Sequence, residues 1–448
     1  MPDASASPSA PSRSVAPIDR PLAVTVTVPG SKSLTNRALV CAALADGTST
    51  IEGALVADDS LAMRTALGTL GARFAHDEAT GVLSVAGTGG RLLPGPATLD
   101  MRLSGTTSRF LLPVVALGAG PYRVDGGPPL RARPMGPVLD GIRALGATVE
   151  HHGEPGHLPV TVVAHGGLDG GDVAVAGDTS SQFLSGLLLA APCARRGLRL
   201  TVTTRLVSRP FVELTTAVMA AFGVAVRDEG APPEAGPVLV VPPGGYRPTA
   251  YQVEPDASTA SYFLAAAVVV GGRVTVEGLG AGSRQGDARF ADLLDAMGAR
   301  MERTATATTV TGTGTLHSLG DVDMSDMPDM AQTLAAVAVF ADGPTRVTGV
   351  ELIRWHETDR IAAVVGELRR AGIEADEEPD GFVVHPGTPR PARIETYDDH
   401  RMAMSFALLG LRAPGIEIAD PACVNKTFPG FWQALERLGT TGVGPAGQ

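Results

Sequence analysis

One pattern recurs six times along the 448 residues and limits the fold more than any other feature: apolar, three residues, apolar, two residues, apolar, glycine. It reads Met63/Leu67/Leu70/Gly71, Val138/Ile142/Leu145/Gly146, Phe290/Leu294/Met297/Gly298, Val364/Leu368/Ala371/Gly372 and Phe431/Leu435/Leu438/Gly439. A further copy, Met219/Phe222/Gly223, has Thr215 at its first apolar place. The spacing i, i+4, i+7 is one face of a helix, and glycine at i+8 is a helix stop. Successive glycines lie 75, 77, 75, 74 and 67 residues apart, too even for chance.

About 40 residues before each glycine a polar cluster opens an apolar run. Ser31-Lys32-Ser33 precedes 38–44, Thr106-Thr107-Ser108-Arg109 precedes 110–117, and Ser180-Ser181-Gln182 precedes 183–191. Asp256-Ala257-Ser258 precedes 262–270, Asp329 precedes 334–340, and Asp399-His400-Arg401 precedes 402–411. A Ser, Thr or Asp start is an N-cap signal, and an all-round apolar body means a buried helix. β-rich segments such as 273–277 and 345–348 follow. Each unit reads as buried helix, strand, amphipathic helix, then one or two strands. Single cores stop growing near about 250–300 residues, so six units group as three plus three, with the crossover near 246–255. A single solenoid of six units is the alternative.

Composition narrows the function. Hydrophobic residues make up 44% and charged residues 19%, which suits a packed core. The net charge of −11 disfavours a nucleic-acid or membrane-surface binder, since either would carry a basic face. Cys41, Cys193 and Cys423 form no C-x-x-C pair, which disfavours structural zinc and a disulfide scaffold and fits a reducing, cytoplasmic location. The longest apolar run, 262–270, is too short to span a bilayer. The first 20 residues lack the apolar stretch of a secretory signal. Residues 1–17 are rich in Ser, Ala and Pro and are expected to be a disordered tail, dispensable for turnover.

The polar clusters share one place, the start of a buried helix, where free N–H groups and the helix dipole favour anions. Lys32, Arg37, Arg109 and Arg401 stand there, with Arg131, Arg133, Arg209, Arg360 and Lys426 in loops. An acidic chain that gathers cations this way points to a ligand with several negative charges. Ordinary caps and salt bridges account for any one cluster, but less well for all of them. His151, His152, Glu154 and His157 have no spacing that aims them at one metal ion, so no metal is expected.

These residues carry a resemblance. Pro29-Gly30-Ser31-Lys32-Ser33-Leu34-Thr35-Asn36-Arg37-Ala38-Leu39 resembles the opening motif of the 5-enolpyruvylshikimate-3-phosphate (EPSP) synthase family. So do Arg131-Ala132-Arg133-Pro134-Met135-Gly136, Ser180-Ser181-Gln182-Phe183-Leu184 and His356-Glu357-Thr358-Asp359-Arg360. Asp399-His400-Arg401-Met402-Ala403-Met404 and Lys426-Thr427-Phe428-Pro429 complete the set, in the family's order across residues 21–438. The resemblance implies an α/β, two-domain enolpyruvyl transferase fold, each domain three βαβαββ units around buried helices, an inside-out α/β barrel. One domain would be 31–252, on the shikimate-phosphate side; the other would be 18–30 plus 253–448. Helix starts would face the cleft between them.

The resemblance implies transfer of the enolpyruvyl group of phosphoenolpyruvate (PEP) to the 5-hydroxyl of shikimate 3-phosphate, by addition and elimination, with phosphate released. It implies no metal or organic cofactor. The small-molecule substrates are the expected partners of a monomer, with no nucleic acid or membrane. By resemblance, Lys32, Ser33, Arg37, Ser180, Ser181, Gln182, Ser208, Asp329 and His356 hold shikimate 3-phosphate. Lys32, Gly105, Arg133, Gln182, Arg360, Arg401 and Lys426 hold PEP. Lys32, Asp329 and Glu357 are the implied catalytic residues, Asp329 as base at the hydroxyl and Glu357 as partner in proton transfer at the methyl carbon.

Three departures from the commonest pattern stand out. His356 replaces a usual Lys, making an obligate cation titratable. The segment Leu103-Ser104-Gly105-Thr106-Thr107-Ser108-Arg109-Phe110 departs from its usual motif but keeps Gly105 and Arg109, and Phe211 replaces a common Tyr. The rivals are the related transferase acting on UDP-N-acetylglucosamine, a non-catalytic anion-binding protein of this fold, and a secondary-metabolism paralogue using a modified shikimate. The first usually carries a Lys-Asn pair and a loop cysteine, whereas Lys32 here is followed by Ser33. Intact Lys32, Asp329, Glu357 and Arg401 argue against the second.

Overall fold

The computed structural model describes residues 11–230 and 236–440. The chain divides into two compact units: residues 29–257 with 283–286, and residues 1–28, 258–282 and 287–448. In the unit of 29–257, three apolar helices, Lys32–Leu44, Gly105–Val115 and Ser181–Ala190, pack on one another. Ser31 starts the first, its Oγ accepting from Leu34 N at 3.5 Å, and the whole run from Leu34 to Leu44 is buried. A Cβ on Gly186 would stand 2.2 Å from the Arg109 carbonyl oxygen, so the closest helix approach requires that glycine. Outside these helices lie the amphipathic helices Asp58–Thr69, Gly136–Ala144 and Arg209–Ala221.

Each repeat builds one small sheet. Ala97–Asp100 and Ala119–Asp125 flank a buried helix in sequence and pair in parallel, as do Gly171–Val175 and Leu198–Val202. An antiparallel partner then joins the second strand, Val160–His165 in one sheet and Val238–Val241 in the other. The first repeat takes its parallel edge strand from far away: Ala250–Gln252 pairs with Thr48–Glu52.

The other unit repeats this plan around the helices Ala257–Val270, Ala331–Ala338 and His400–Gly410. Ser261, Thr333 and Ser405, each 72 residues apart, touch in a buried row of hydroxyls at 3.3 and 3.2 Å. Here too the first sheet borrows its parallel edge, Leu22–Val26 against Gly272–Glu277. Among the described residues no helix is long and apolar enough to cross a membrane.

Three expectations need correction. Five of the repeat glycines do sit at positive φ after their helices, at 110°, 105°, 86°, 98° and 78° for Gly71, Gly146, Gly223, Gly298 and Gly372. Gly439 does not stop its helix, which runs Phe431–Thr440. Asp329 is not the cap of its helix. It lies within the short helix Pro328–Met330, whose N-cap is Met327, and the apolar helix that follows has Met330 in that place. The Asp329 carboxylate is committed to arginines instead.

The third concerns the tail expected to be disordered through residue 17. Residues 1–10 lie outside the described residues, but Ser12–Ser14 pairs antiparallel with Ile416–Ala419 and completes a three-stranded sheet. Val15 is buried, and Arg13 lies over the Trp432 ring at 5.4 Å. The pattern missed this because a short edge strand needs no periodicity of its own once a partner supplies the ladder. Deleting residues 1–17 is therefore expected to destabilise the fold by about 1–3 kcal/mol through lost burial and pairing. Denaturant unfolding of the truncated chain checks this; an unchanged midpoint would count against it.

Candidate active site

In the unit of 29–257 several of the expected site residues stand near the starts of buried helices. Lys32 opens its helix; its Nζ lies 3.5 Å from Asp59 Oδ2, and its backbone N–H donates to Asp256 Oδ2 at 3.1 Å. Thr107 donates to the Asp59 carbonyl at 3.4 Å, tying that turn to the helix that starts at Gly105. A Cβ on Gly105 would stand 3.0 Å from Arg133 Nη1, so the bare glycine lets that guanidinium close on the backbone. Arg109 donates to Gln182 Oε1 at 3.1 Å and stacks over Phe183 at 4.9 Å. Ser180 caps the next helix by accepting from Gln182 N at 3.3 Å, and Ser181 is buried beside it. Ser208 holds a left-handed backbone, φ 53°, just before the helix Arg209–Ala221.

Arg37 is enclosed rather than displayed. Its guanidinium donates to Thr215 Oγ1 at 2.7 Å, the Ser33 carbonyl at 2.9 Å, the Phe211 carbonyl at 3.1 Å and Ser185 Oγ at 3.4 Å. Burial pulls its pKa down to about 10. Through the Ser33 carbonyl it orders the start of that helix from beneath. Arg131 and Arg209, exposed, are spent in pairs with Asp125 and Glu213.

The second unit holds a denser cluster around Arg360. This residue is buried at the start of the helix Arg360–Arg370, behind Asp359, which caps it by accepting from Ala362 N at 3.1 Å. Its guanidinium makes a forked pair with Asp399 at 2.7 and 3.2 Å. It also donates to Asp329 at 2.9 Å and to Glu357 at 2.9 Å. Burial works against the Arg360 charge, but Asp399, Glu357 and Asp329 outweigh it and hold its pKa above the usual arginine value. Asp329 takes a second arginine, Arg401, at 2.7 Å, and Glu357 takes Lys426 at 2.6 Å. Each of these two carboxylates therefore bridges two cations.

His356 joins the cluster with Nδ1 2.9 Å from Arg360 Nη1 and 3.7 Å from Asp329. A guanidinium only donates, so Nδ1 accepts and carries no proton in this arrangement. The structure thus brings Asp329, His356, Glu357, Arg360, Arg401 and Lys426 together in one unit. It places Lys32, Ser33, Arg37, Gly105, Arg133, Ser180, Ser181, Gln182 and Ser208 in the other.

Two ion pairs escaped the sequence reading, Asp399 with Arg360 and Asp59 with Lys32, although Asp399 itself reads as a cap. Asp399 is fully buried, grips Arg360 and caps the helix of Arg401 by accepting from Arg401 N at 2.8 Å. Its place directly before His400-Arg401 was the available signal. Asp59 sits one residue inside an amphipathic helix and looks like an ordinary dipole partner until Lys32 folds onto it.

Metal chemistry finds no donor set: among the described residues no group of three or more His, Cys, Asp or Glu is placed to hold an ion. His151 contacts Arg143 at 2.6 Å and His152 contacts Thr161 at 2.7 Å. The cysteines are free, and burial pushes Cys193 and Cys423 up to about 12 and Cys41 higher still.

Comparison with known proteins gives the family. The family model described as EPSP synthase (3-phosphoshikimate 1-carboxyvinyltransferase) matches residues 17–435. A Nostoc punctiforme protein named 3-phosphoshikimate 1-carboxyvinyltransferase is 45% identical over 424 residues, covering 94% of this chain and 98% of its own. The chloroplastic Arabidopsis thaliana protein of that name is 41% identical, with 92% and 82% covered. The EPSP synthase structure from Acinetobacter baumannii superposes with a TM-score of 0.79 at 29% identity, covering 95% of this chain and 98% of that one. The enolpyruvyl transferase NikO from Streptomyces tendae, at 21% identity and a TM-score of 0.76 over 96% and 98% of the two chains, shows the fold alone. That fold is the two-domain enolpyruvyl transferase fold. Matched along nearly its whole length, the chain belongs to the EPSP synthase family, the 3-phosphoshikimate 1-carboxyvinyltransferases.

Proposed function

We propose that the two clusters divide the family's reaction between named residues. The chain is an enzyme that transfers the enolpyruvyl group of PEP to the 5-hydroxyl of shikimate 3-phosphate and releases phosphate. In the addition, the hydroxyl oxygen bonds to C2 of PEP, its proton leaves, and C3 gains a proton. In the elimination, a methyl proton leaves and the C2–O bond to phosphate breaks.

The observation that carries the assignment is the bridging of Asp329 and Glu357. Arg360 and Arg401 hold Asp329 as the carboxylate that a base at the hydroxyl must be. Glu357, bonded to Lys426 and Arg360, is the partner for proton transfer to and from C3. Arg360, Arg401 and Lys426, with Arg133 beside Gly105, bind PEP. Ser33, Ser180, Ser181 and Ser208 bind shikimate 3-phosphate, Lys32 and Gln182 serve both substrates, and Arg37 supports Ser33 from below. His356 offers its Nε2 side to the shikimate phosphate, since Nδ1 is taken by Arg360. We read each unit as one domain of three repeats, the protein as a monomer, and its location as cytoplasmic, the last in keeping with its free cysteines.

Phosphate release from PEP tests the reading. It should depend on shikimate 3-phosphate and be absent with UDP-N-acetylglucosamine. The raised thiols support this outcome, because no cysteine here is activated in the way a reactive loop thiol would be. Release with the sugar nucleotide alone would overturn it.

A further inference from the structure

Two consecutive non-glycine residues, Tyr397 and Asp398, hold left-handed backbones with φ of 56° and 57°. Such backbones are strained and persist only where their surroundings over-determine them. They lie immediately before Asp399, the carboxylate that forks onto Arg360 and caps the helix of Arg401.

What holds them is a carboxylate with no part in the chemistry above. Glu367, two turns along the helix Arg360–Arg370, has a fully buried side chain. Its Oε1 accepts from the Tyr397 hydroxyl at 2.7 Å, and its Oε2 accepts from Glu395 N at 3.0 Å and from Arg370 Nε at 2.9 Å. Glu367 thus grips the loop at two points, on either side of Thr396, while Arg360 at the start of the same helix grips Asp399. One helix fixes both ends of the segment 395–399.

We infer that Glu367 and Tyr397 are positioning residues for PEP binding, clasping the strained segment so that Asp399 presents Arg360 and Arg401 in register. Burial, and then the Glu367 carboxylate, push the Tyr397 phenol up to about 12, so it remains a donor across the working range of pH. The inference rests on the assignment of Arg360 and Arg401 to PEP.

The test compares KM values in the full-length enzyme. Glu367→Gln puts an amide NH2 where Arg370 or Glu395 N now donates, or against the Tyr397 hydroxyl, so at least one grip is lost. It should raise the KM for PEP at least about 10-fold, since misplacement by an ångström at a reacting centre costs up to about 10²-fold. The KM for shikimate 3-phosphate should stay within about 3-fold. Tyr397→Phe should act in the same direction, more weakly, and Arg369→Ala should change neither constant, because Arg369 donates to the Ala375 carbonyl and pairs with Asp376 rather than with the loop. Arg401→Ala is the reference. If it raises the KM for PEP and Glu367→Gln, folded by circular dichroism, does not, the clasp is wrong and the site assignment stands. If neither does, both fall. Equal rises for the two substrates with Glu367→Gln would show general loosening and would also overturn the clasp.

Discussion

Asp329→Asn and Glu357→Gln are each expected to lower kcat by about 10²-fold or more, the usual worth of a positioned acid or base. Both changes keep shape and remove charge. The structure separates their side effects. The amide introduced by Asp329→Asn would keep one oxygen for either Arg360 or Arg401 but turn an NH2 toward the other, so substrate binding should weaken too. The amide introduced by Glu357→Gln faces the same choice between Arg360 and Lys426. It is not expected to touch shikimate 3-phosphate, whose affinity should barely change. Glu357→Gln should also slow exchange of the PEP methylene hydrogens with solvent. Steady-state kinetics and deuterium exchange read these effects. Near-normal turnover in either folded variant would remove that residue from the chemistry.

Asp399→Ala is expected to cost about 3 kcal/mol or more of stability, which is large against a typical margin of about 5–15. Its side chain is fully enclosed, as is Arg360, so truncation leaves a guanidinium in a dry place with its forked partner gone. The helix of Arg401 loses its cap at the same time, worth about 0.5–2 kcal/mol. Asp399→Asn should cost less, because an asparagine side chain can still cap and still offer one oxygen to Arg360. Chemical denaturation of the three proteins orders them; Asp399→Ala as stable as the parent would mean the fork contributes nothing.

Much of the architecture was legible because it repeats. A buried helix needs an unbroken apolar run and an amphipathic one needs a stripe, and both signals survive in a single sequence, at 38–44 and at 364–368. Lys32, Arg37, Arg109 and Arg401 were legible for the same reason, since they share one position in the repeat, whereas the loop cations Arg133, Arg360 and Lys426 showed only through the resemblance. What escaped was whatever depends on a distant partner. Asp329 looked like a cap because an Asp after Pro328 before an apolar run is often one; only folding shows Arg360 and Arg401 claiming it. Arg37 showed its charge in the sequence but not its partners, Thr215 and the Phe211 carbonyl, which lie far along the chain. Gly439 matched the stop pattern, but a glycine ends a helix only if the backbone turns left-handed there, and this one continues to Thr440. Ser12–Ser14 carries no pattern because its ladder is written in Ile416–Ala419.

The borrowed edge strands set an order on the ribosome. The strand Leu22–Val26 emerges early but has no parallel partner until Gly272–Glu277 is made, and Ser12–Ser14 waits for Ile416–Ala419. At about 5–20 residues per second that is a wait on the order of ten seconds or more. The unit of 29–257 needs nothing after residue 286, so it can complete itself while the rest is still being synthesised. The amino-terminal strands belong to the unit finished last, and until then their unpaired edges are open to any other strand that comes by, which makes this stretch the one most in need of shielding during synthesis.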